Sequence, residues 1–154
     1  MFFSRQDMVG RPYPGDSRVK VARTDFTVLT SHHSKSALLE VRPVTGFKHQ
    51  LRLHLAEALG TPTLGDYKYG GSQFRKDEGL VKQLEALGPS FYKGVVYLHA
   101  FQIILPMYSE GCDLVINAPL PRHFTDTLQR LSLQLPKWYA DIIGKQRWSY
   151  LVFK

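Results

Sequence analysis

The sequence is nearly without cysteine. Cys112 is the only one, which excludes an internal disulfide and any CxxC metal site and fits a reducing compartment. Its expected role is that of a small packing residue. No apolar run approaches the roughly 18 residues of a membrane-spanning helix, so no membrane partner is expected. There is no dinucleotide-binding glycine fingerprint, no glycine–lysine phosphate loop and no serine nucleophile elbow, and the nucleotide-dependent and hydrolase classes lose their signatures with them. Gly70-Gly71-Ser72 reads as loop flexibility. Internal repeats and low-complexity tracts are also missing, and Met1-Phe2-Phe3-Ser4-Arg5 does not read as a signal or transit peptide. Acidic side chains are in the minority, 13 against 20 Lys and Arg, for a formal charge of +7. That excess points to a polyanionic partner, most simply RNA or DNA.

A chain of 154 residues, 44% of them apolar, is long enough for one domain with a real core. Residues 1–18 are punctuated by Gly10-Arg11-Pro12 and Pro14-Gly15-Asp16, and are expected to be a connector or truncated leader. Phe26 to Leu29 and Ala37 to Val41 are β-prone and flank a polar turn at 31–35, which predicts an antiparallel pair. Leu51, Leu55, Ala58 and Leu59 then mark one face of a helix that stops at Gly60. Leu80, Leu84 and Leu87 predict a second short helix. Strands are expected over Leu98–Leu105 and Asp113–Asn117, with a last helix after Pro121 through Phe124, Leu128 and Leu131. Such an irregular order predicts an α+β fold, a mixed and mostly antiparallel sheet with flanking helices. The aromatic and basic tail, residues 134–154, has no period that places it.

The stretch Thr45-Gly46-Phe47-Lys48-His49-Gln50-Leu51-Arg52-Leu53-His54 opens the first predicted helix. Lys48 and Arg52 are four apart and are expected on one helical face in or near its first turn. There the helix dipole disfavours a cation by roughly 0.3–1 kcal/mol. One reading is an anion held at that point, either RNA phosphate or a carboxylate from elsewhere in the protein. The other is a solvated basic face that happens to sit at a helix start. His49 and His54 are five apart, which does not put two imidazoles on one face as a helical zinc motif does. His32 and His33 lie in a turn without a cysteine or carboxylate companion, and His99 reads as a hydrogen-bonded core histidine. No metal and no cofactor are expected.

The pattern Thr45-Gly46-x-x-His49-Gln50-Leu51-Arg52-x-His54, followed by Gly60-x-Pro62-x-Leu64-Gly65-Asp66-x-x-Tyr69-Gly70, resembles the C-terminal motif of RluA-type pseudouridine synthases. Ala22-x-Thr24-x-Phe26-x-Val28-Leu29, Leu98-His99-Ala100 with Leu105-Pro106, and Ala118-Pro119-Leu120-Pro121 with Phe124 resemble that family's flanking elements. The likeness runs over about residues 19–133. It implies the C-terminal part of a pseudouridine synthase catalytic domain. The reaction it implies is isomerisation of uridine in rRNA, tRNA or mRNA to pseudouridine, without metal or cofactor, by a monomer.

By the resemblance, Arg52 is the basic partner of the aspartate that starts the chemistry. Thr45, Lys48, His49, Gln50, Leu51 and His54 are expected on the substrate and RNA side, Leu51 helping to wall the base pocket. Gly46, Gly65, Asp66, Tyr69 and Gly70 are expected to be structural. Phe47 stands where the family most often has arginine. Some eukaryotic, organelle-associated members have an apolar residue there followed by lysine, as here, which leans toward a mitochondrial placement. The family's His-Arg-Leu-Asp-x-x-Thr-Ser-Gly motif, which carries the catalytic aspartate, is absent, as is a counterpart of its catalytic-site tyrosine. Asp7, Asp16, Asp25 and Asp66 all lack the aspartate's context. A fragment or truncated gene product, inactive alone, is therefore expected, with a non-catalytic RNA-binding protein of the same family as the alternative.

Overall fold

The computed structural model describes residues 21–32, 36–70, 82, 95–109 and 111–139. The expected leader to residue 18, the helix expected over Leu80–Leu87 and the tail from residue 140 lie outside them. The chain divides into two compact units, Met1–Tyr97 and Leu98–Lys154.

The first unit opens with β1 (Thr24–His32) and β2 (Ser36–Pro43), an antiparallel pair in which Phe26 faces Val41 and Thr24 faces Pro43, with an irregularity between Val28 and Thr30. This is the predicted pair, grown by a few residues at its ends. Thr24 and Phe26 are buried while Asp25 between them is partly exposed, the alternation a half-covered strand requires. The helix that follows is not uniform. It begins as α1 (Gln50–Leu53) and continues as a π-helical turn, His54–Ala58, closed by Leu59 N–H donating to the His54 carbonyl at 3.1 Å. Gly60, at φ 64, ends it in the left-handed conformation glycine tolerates, as its position predicted.

The wide turn changes which side chains face inward. His54, Leu55 and Ala56 are the buried residues of the turn, whereas Ala58, expected on the apolar face, is exposed. A five-residue hydrogen-bonded loop advances each side chain less per residue than the 3.6-residue period assumes, so the predicted stripe slips.

A short helix, α2 (Tyr67–Gly70), comes next. Gly65 precedes it at φ 78, and the strand-like segment at 95–97 lies against it, with Tyr97 N–H donating to the Leu64 carbonyl at 2.9 Å. A Cβ at Gly65 would fall 1.8 Å from the Val95 carbonyl oxygen. Only glycine fits here, on both conformational and steric grounds.

The second unit holds β3 (Gln102–Ser109) and β4 (Cys112–Asn117), paired antiparallel from Gln102–Asn117 to Ser109–Cys112 across a turn at Gly111 (φ 77), and α3 (Arg122–Arg130). β3 starts later than expected, so His99 precedes the strand, where its Nε2 meets the Ala118 carbonyl at 3.1 Å. Cys112 is exposed and not a packing residue. Its place at the end of a two-stranded ribbon gives it nothing to pack into.

α3 closes in a Schellman arrangement with Ser132 at φ 54, Leu133 N–H donating to Leu128 and Ser132 N–H to Gln129. Leu128, Leu131, Leu133 and Ala118 are the buried apolar residues of this unit among the described residues. Trp138 and Tyr139, from the segment that sequence left unplaced, pack on Phe101 at centroid distances of 6.2 and 5.1 Å, and the Tyr139 hydroxyl accepts from Leu120 N–H at 2.8 Å.

The close approach at Gly65 yields a direct expectation. Gly65→Ala combines left-handed strain with a backbone clash and costs about 3 kcal/mol of stability. Urea denaturation of the variant against the parent chain measures it, and Gly46→Ala serves as control. Gly46 has no left-handed backbone and open space around it, so its substitution leaves the midpoint nearly unchanged.

Candidate active site

The site belongs to the first unit and is assembled from three segments, residues 23–24, 45–54 and 63–70. Gln50 is its polar hub. It is buried at 5% exposure, and every hydrogen-bonding edge of its amide is used. Its Nε2 donates to the Arg23 carbonyl and to the Thr24 hydroxyl, both at 2.9 Å, and its Oε1 accepts from the Thr45 hydroxyl at 2.8 Å and from Phe47 N–H at 3.1 Å. Arg23 N–H in turn donates to Thr45 Oγ1 at 2.8 Å. The Thr24 hydroxyl, fully buried, also meets His54 Nδ1 at 3.0 Å. Its oxygen accepts from Gln50, and as a hydroxyl it can pair with Nδ1 of either neutral tautomer of His54. Burial lowers the His54 pKa and holds the ring in its neutral form.

These bonds fasten the helix start to β1 through Gln50 and His54. The Gln50 amide has all its donors and acceptors paired inside the fold, whereas His54 is engaged through Nδ1 alone among the described residues.

His49 begins the helix with φ 58, a left-handed conformation that costs a non-glycine residue roughly 1–2 kcal/mol. The kink corrects the expected placement of Lys48 and Arg52 on one helical face, because Lys48 lies before the helix and only Arg52 lies within it. It also aims the imidazole at the next segment: His49 Nδ1 and the Tyr69 hydroxyl are 2.8 Å apart, the rings edge to face. His49 remains partly exposed and its pKa is lowered, first by desolvation and then by Lys68, Arg52 and Lys48, against a smaller opposing pull from Asp66.

Arg52 meets a carboxylate within this chain. Its Nε and Nη2 donate to the two oxygens of Asp66, each at 2.6 Å, in a fork that the planar guanidinium alone provides. Asp66 is fully buried and also accepts from Lys68 N–H and Tyr69 N–H, each at 3.2 Å, so the same carboxylate caps α2. The Arg52 bond, ahead of these amides, holds its pKa below the ordinary carboxylate range against the opposing effect of burial. Tyr69 lies under the guanidinium, 5.0 Å from ring centroid to Cζ, and the Lys68 ammonium is 5.2 Å from the same ring.

The carboxylate that sequence analysis expected opposite Arg52 from outside the chain is thus supplied, on two of the three nitrogens, by Asp66. The third, Nη1, has no hydrogen-bond partner among the described residues, and the side chain stays 20% exposed. Leu51 is half-buried beside it, while Phe47, Lys48 and Lys68 are exposed. Lys68 was missed in sequence, where nothing in its local pattern sets it apart from any surface lysine. Among the described residues no three His, Cys, Asp or Glu gather as metal ligands would.

Comparison with known proteins first gives the class. A family profile described as RNA pseudouridylate synthase matches residues 13–57. The human mitochondrial pseudouridylate synthase RPUSD4 is 42% identical over 122 residues, 76% of this chain and 32% of its own length. RNA pseudouridine synthase 4, mitochondrial, of Arabidopsis thaliana is 34% identical over 154 residues, covering 80% of this chain and 31% of its own. Ribosomal large subunit pseudouridine synthase C of Rickettsia typhi is 37% identical over 109 residues, 71% of this chain and 31% of its own. A solved structure, Human RNA Pseudouridylate Synthase Domain Containing 4, superposes with a TM-score of 0.68 at 38% identity, covering 81% of this chain and 48% of that one. The chain belongs to the RluA-type pseudouridine synthase family. It spans about a third of the length of these curated relatives, a partial match that fits a C-terminal portion.

The buried pair is testable by acid. Because the folded-state pKa of Asp66 is lowered, its contribution to stability is complete above the unfolded carboxylate range, near pH 4, and is lost as pH falls toward the folded value. Asp66→Asn leaves Arg52 unpaired and costs about 3 kcal/mol at neutral pH. The variant also loses less stability than the parent between about pH 4 and 2, a difference that urea titrations across that range would register.

Proposed function

We propose that this chain is the part of an RNA pseudouridine synthase that supplies the arginine side of the active site, and that the aspartate which attacks the target uridine comes from sequence outside these residues. The observation that carries the reading is the half-committed Arg52. Asp66 and Tyr69 fix its plane from one side, and the free Nη1 can take a second carboxylate, holding it ionised and aimed. A flexible lysine would not provide this, since the geometry depends on a planar fork locked along one edge. In the reaction the N-glycosidic bond of uridine breaks, the base turns, and a carbon–carbon bond replaces it. The base must leave its stack to reach the site, and the half-buried Leu51, next to Arg52 in the helix, is the residue assigned to wall the pocket. Thr45 holds the motif to β1 and supports the site without touching RNA.

The names of the human and Arabidopsis relatives support a mitochondrial location, and the basic charge supports RNA as substrate. Among the described residues no helix is long and apolar enough to cross a membrane. The protein acts as a monomer in this reading.

The test has two parts. The chain by itself, incubated with uridine-containing total RNA, yields no pseudouridine on nucleoside chromatography. In the gene product that includes the aspartate motif, Arg52→Ala lowers turnover by at least about 10²-fold, the scale set by loss of positioning, while most RNA affinity persists; Arg52→Lys does not restore it. Near-normal turnover of Arg52→Ala refutes the arginine's role. Product formed by the chain alone refutes the division of the active site.

A further inference from the structure

The reading as a synthase leaves Lys68 and the exposed aromatics unused. The hydrogen bond between His49 and Tyr69 ties together two segments twenty residues apart in sequence. On either side of this contact the chain repeats one pattern, Phe47-Lys48-His49 and Tyr67-Lys68-Tyr69, an exposed ring, an exposed lysine and a half-buried ring. Phe47 is 40% exposed and Tyr67 49%, large rings left in water at the edge of the site.

The charge around this contact is one-sided. Lys48, Lys68 and Arg52 all act on His49, and the one carboxylate that also does so is Asp66. Asp66 is buried and spent on Arg52 and two backbone amides, so it neutralises the arginine and leaves the lysines uncompensated. Neither lysine has an ion-pair partner among the described residues. Two uncompensated cations brought together by a specific contact cost electrostatic energy in the free protein, and a bound anion offsets it. Exposed rings next to exposed ammonium groups match a ligand that offers flat bases as well as phosphates. An inorganic polyanion uses the charges but not the rings.

Resting on the synthase reading, we propose that Lys48 and Lys68 form a two-point phosphate clamp for single-stranded RNA over the His49–Tyr69 contact, with Phe47 and Tyr67 stacking the bases beside the target uridine. The left-handed turn at His49 is part of this device, because it takes Lys48 off the helix, and both lysines act on His49. An anion seated on the clamp offsets the cations that disfavour a protonated His49, whose other surrounding charged and titratable groups are Arg52, Asp66 and Tyr69. RNA binding therefore raises the pH at which that ring titrates.

The experiment measures affinity of the whole chain for a twelve-residue oligouridylate as a function of salt, and needs no turnover. Lys48→Gln and Lys68→Gln each reduce the salt slope by about 0.7, and the double variant by about 1.4. Lys137→Gln, which removes an equal charge from an exposed position in the other unit, leaves it unchanged. Phe47→Ala and Tyr67→Ala weaken binding by about fivefold or more at an unchanged slope. His49 followed by NMR titrates at higher pH with oligouridylate bound, and this shift is lost in the double lysine variant. An equal loss of slope in all three lysine variants means diffuse attraction and overturns the clamp. Polyphosphate binding as tightly as oligouridylate, with no effect of the ring substitutions, overturns the assignment to RNA. Either result leaves the synthase reading intact, since that reading stands on Arg52 and turnover.

Discussion

The first unit depends on one ion pair. Asp66 is fully buried and would not be tolerated as a charge there without Arg52, and Arg52 would not hold one plane without Asp66. The pair does three things at once. It fastens the helix starting at Gln50 to the turn at 63–66, it caps α2 through the amides of Lys68 and Tyr69, and it presents the remaining guanidinium edge in a fixed direction. Gly65, the residue before Asp66, lets the 95–97 segment approach to backbone contact distance. Under the proposed function, stability and chemistry draw on the same atoms, an arrangement that favours a rigid site over a merely charged one.

A second layer supports it. Thr24, Gln50 and His54 form a closed polar network between β1 and the helix, in which every hydrogen-bonding atom of the Gln50 amide is used. A network of this kind is stabilising only when complete, and the Gln50 amide at its centre has no donor or acceptor left over. Under the proposed function, the side chains that face RNA are exposed or partly exposed ones outside this network. These are Phe47 and Lys48 before the helix, the edge of Arg52 without a partner among the described residues, and Tyr67 and Lys68 on the next turn. The division between inward and outward residues within a ten-residue motif is made by the left-handed turn at His49 and the π turn at His54.

Much of the fold was legible. The β1–β2 pair, the stop at Gly60, the hairpin around Gly111 and the helix after Pro121 all follow from turn residues and period, which are local signals. Within the site, Lys48 and Arg52 near a helix start left two readings open, an anion held there or a solvated basic face, and the structure places Asp66 on Arg52 and leaves Lys48 exposed. What could not be read was which anion, since Asp66 lies fourteen residues away with no periodic relation to Arg52. The burial of Gln50 was equally hidden, because a glutamine in a polar run gives no sign that Arg23 and Thr24 will surround it. The misplaced face of the first helix has a single cause, the π turn, which leaves no mark on the hydrophobic pattern.

The sequence by itself determined the family, the order of elements and the motif in which the chemistry is written, because residue types at fixed spacings carry that information without folding. Only the tertiary structure decided the roles within the motif. It gave Asp66 to Arg52, turned Gln50 and His54 inward, and set Lys68 beside His49. Those are contacts between segments remote in sequence, fixed by where the backbone can approach closely and where a buried charge can find its partner.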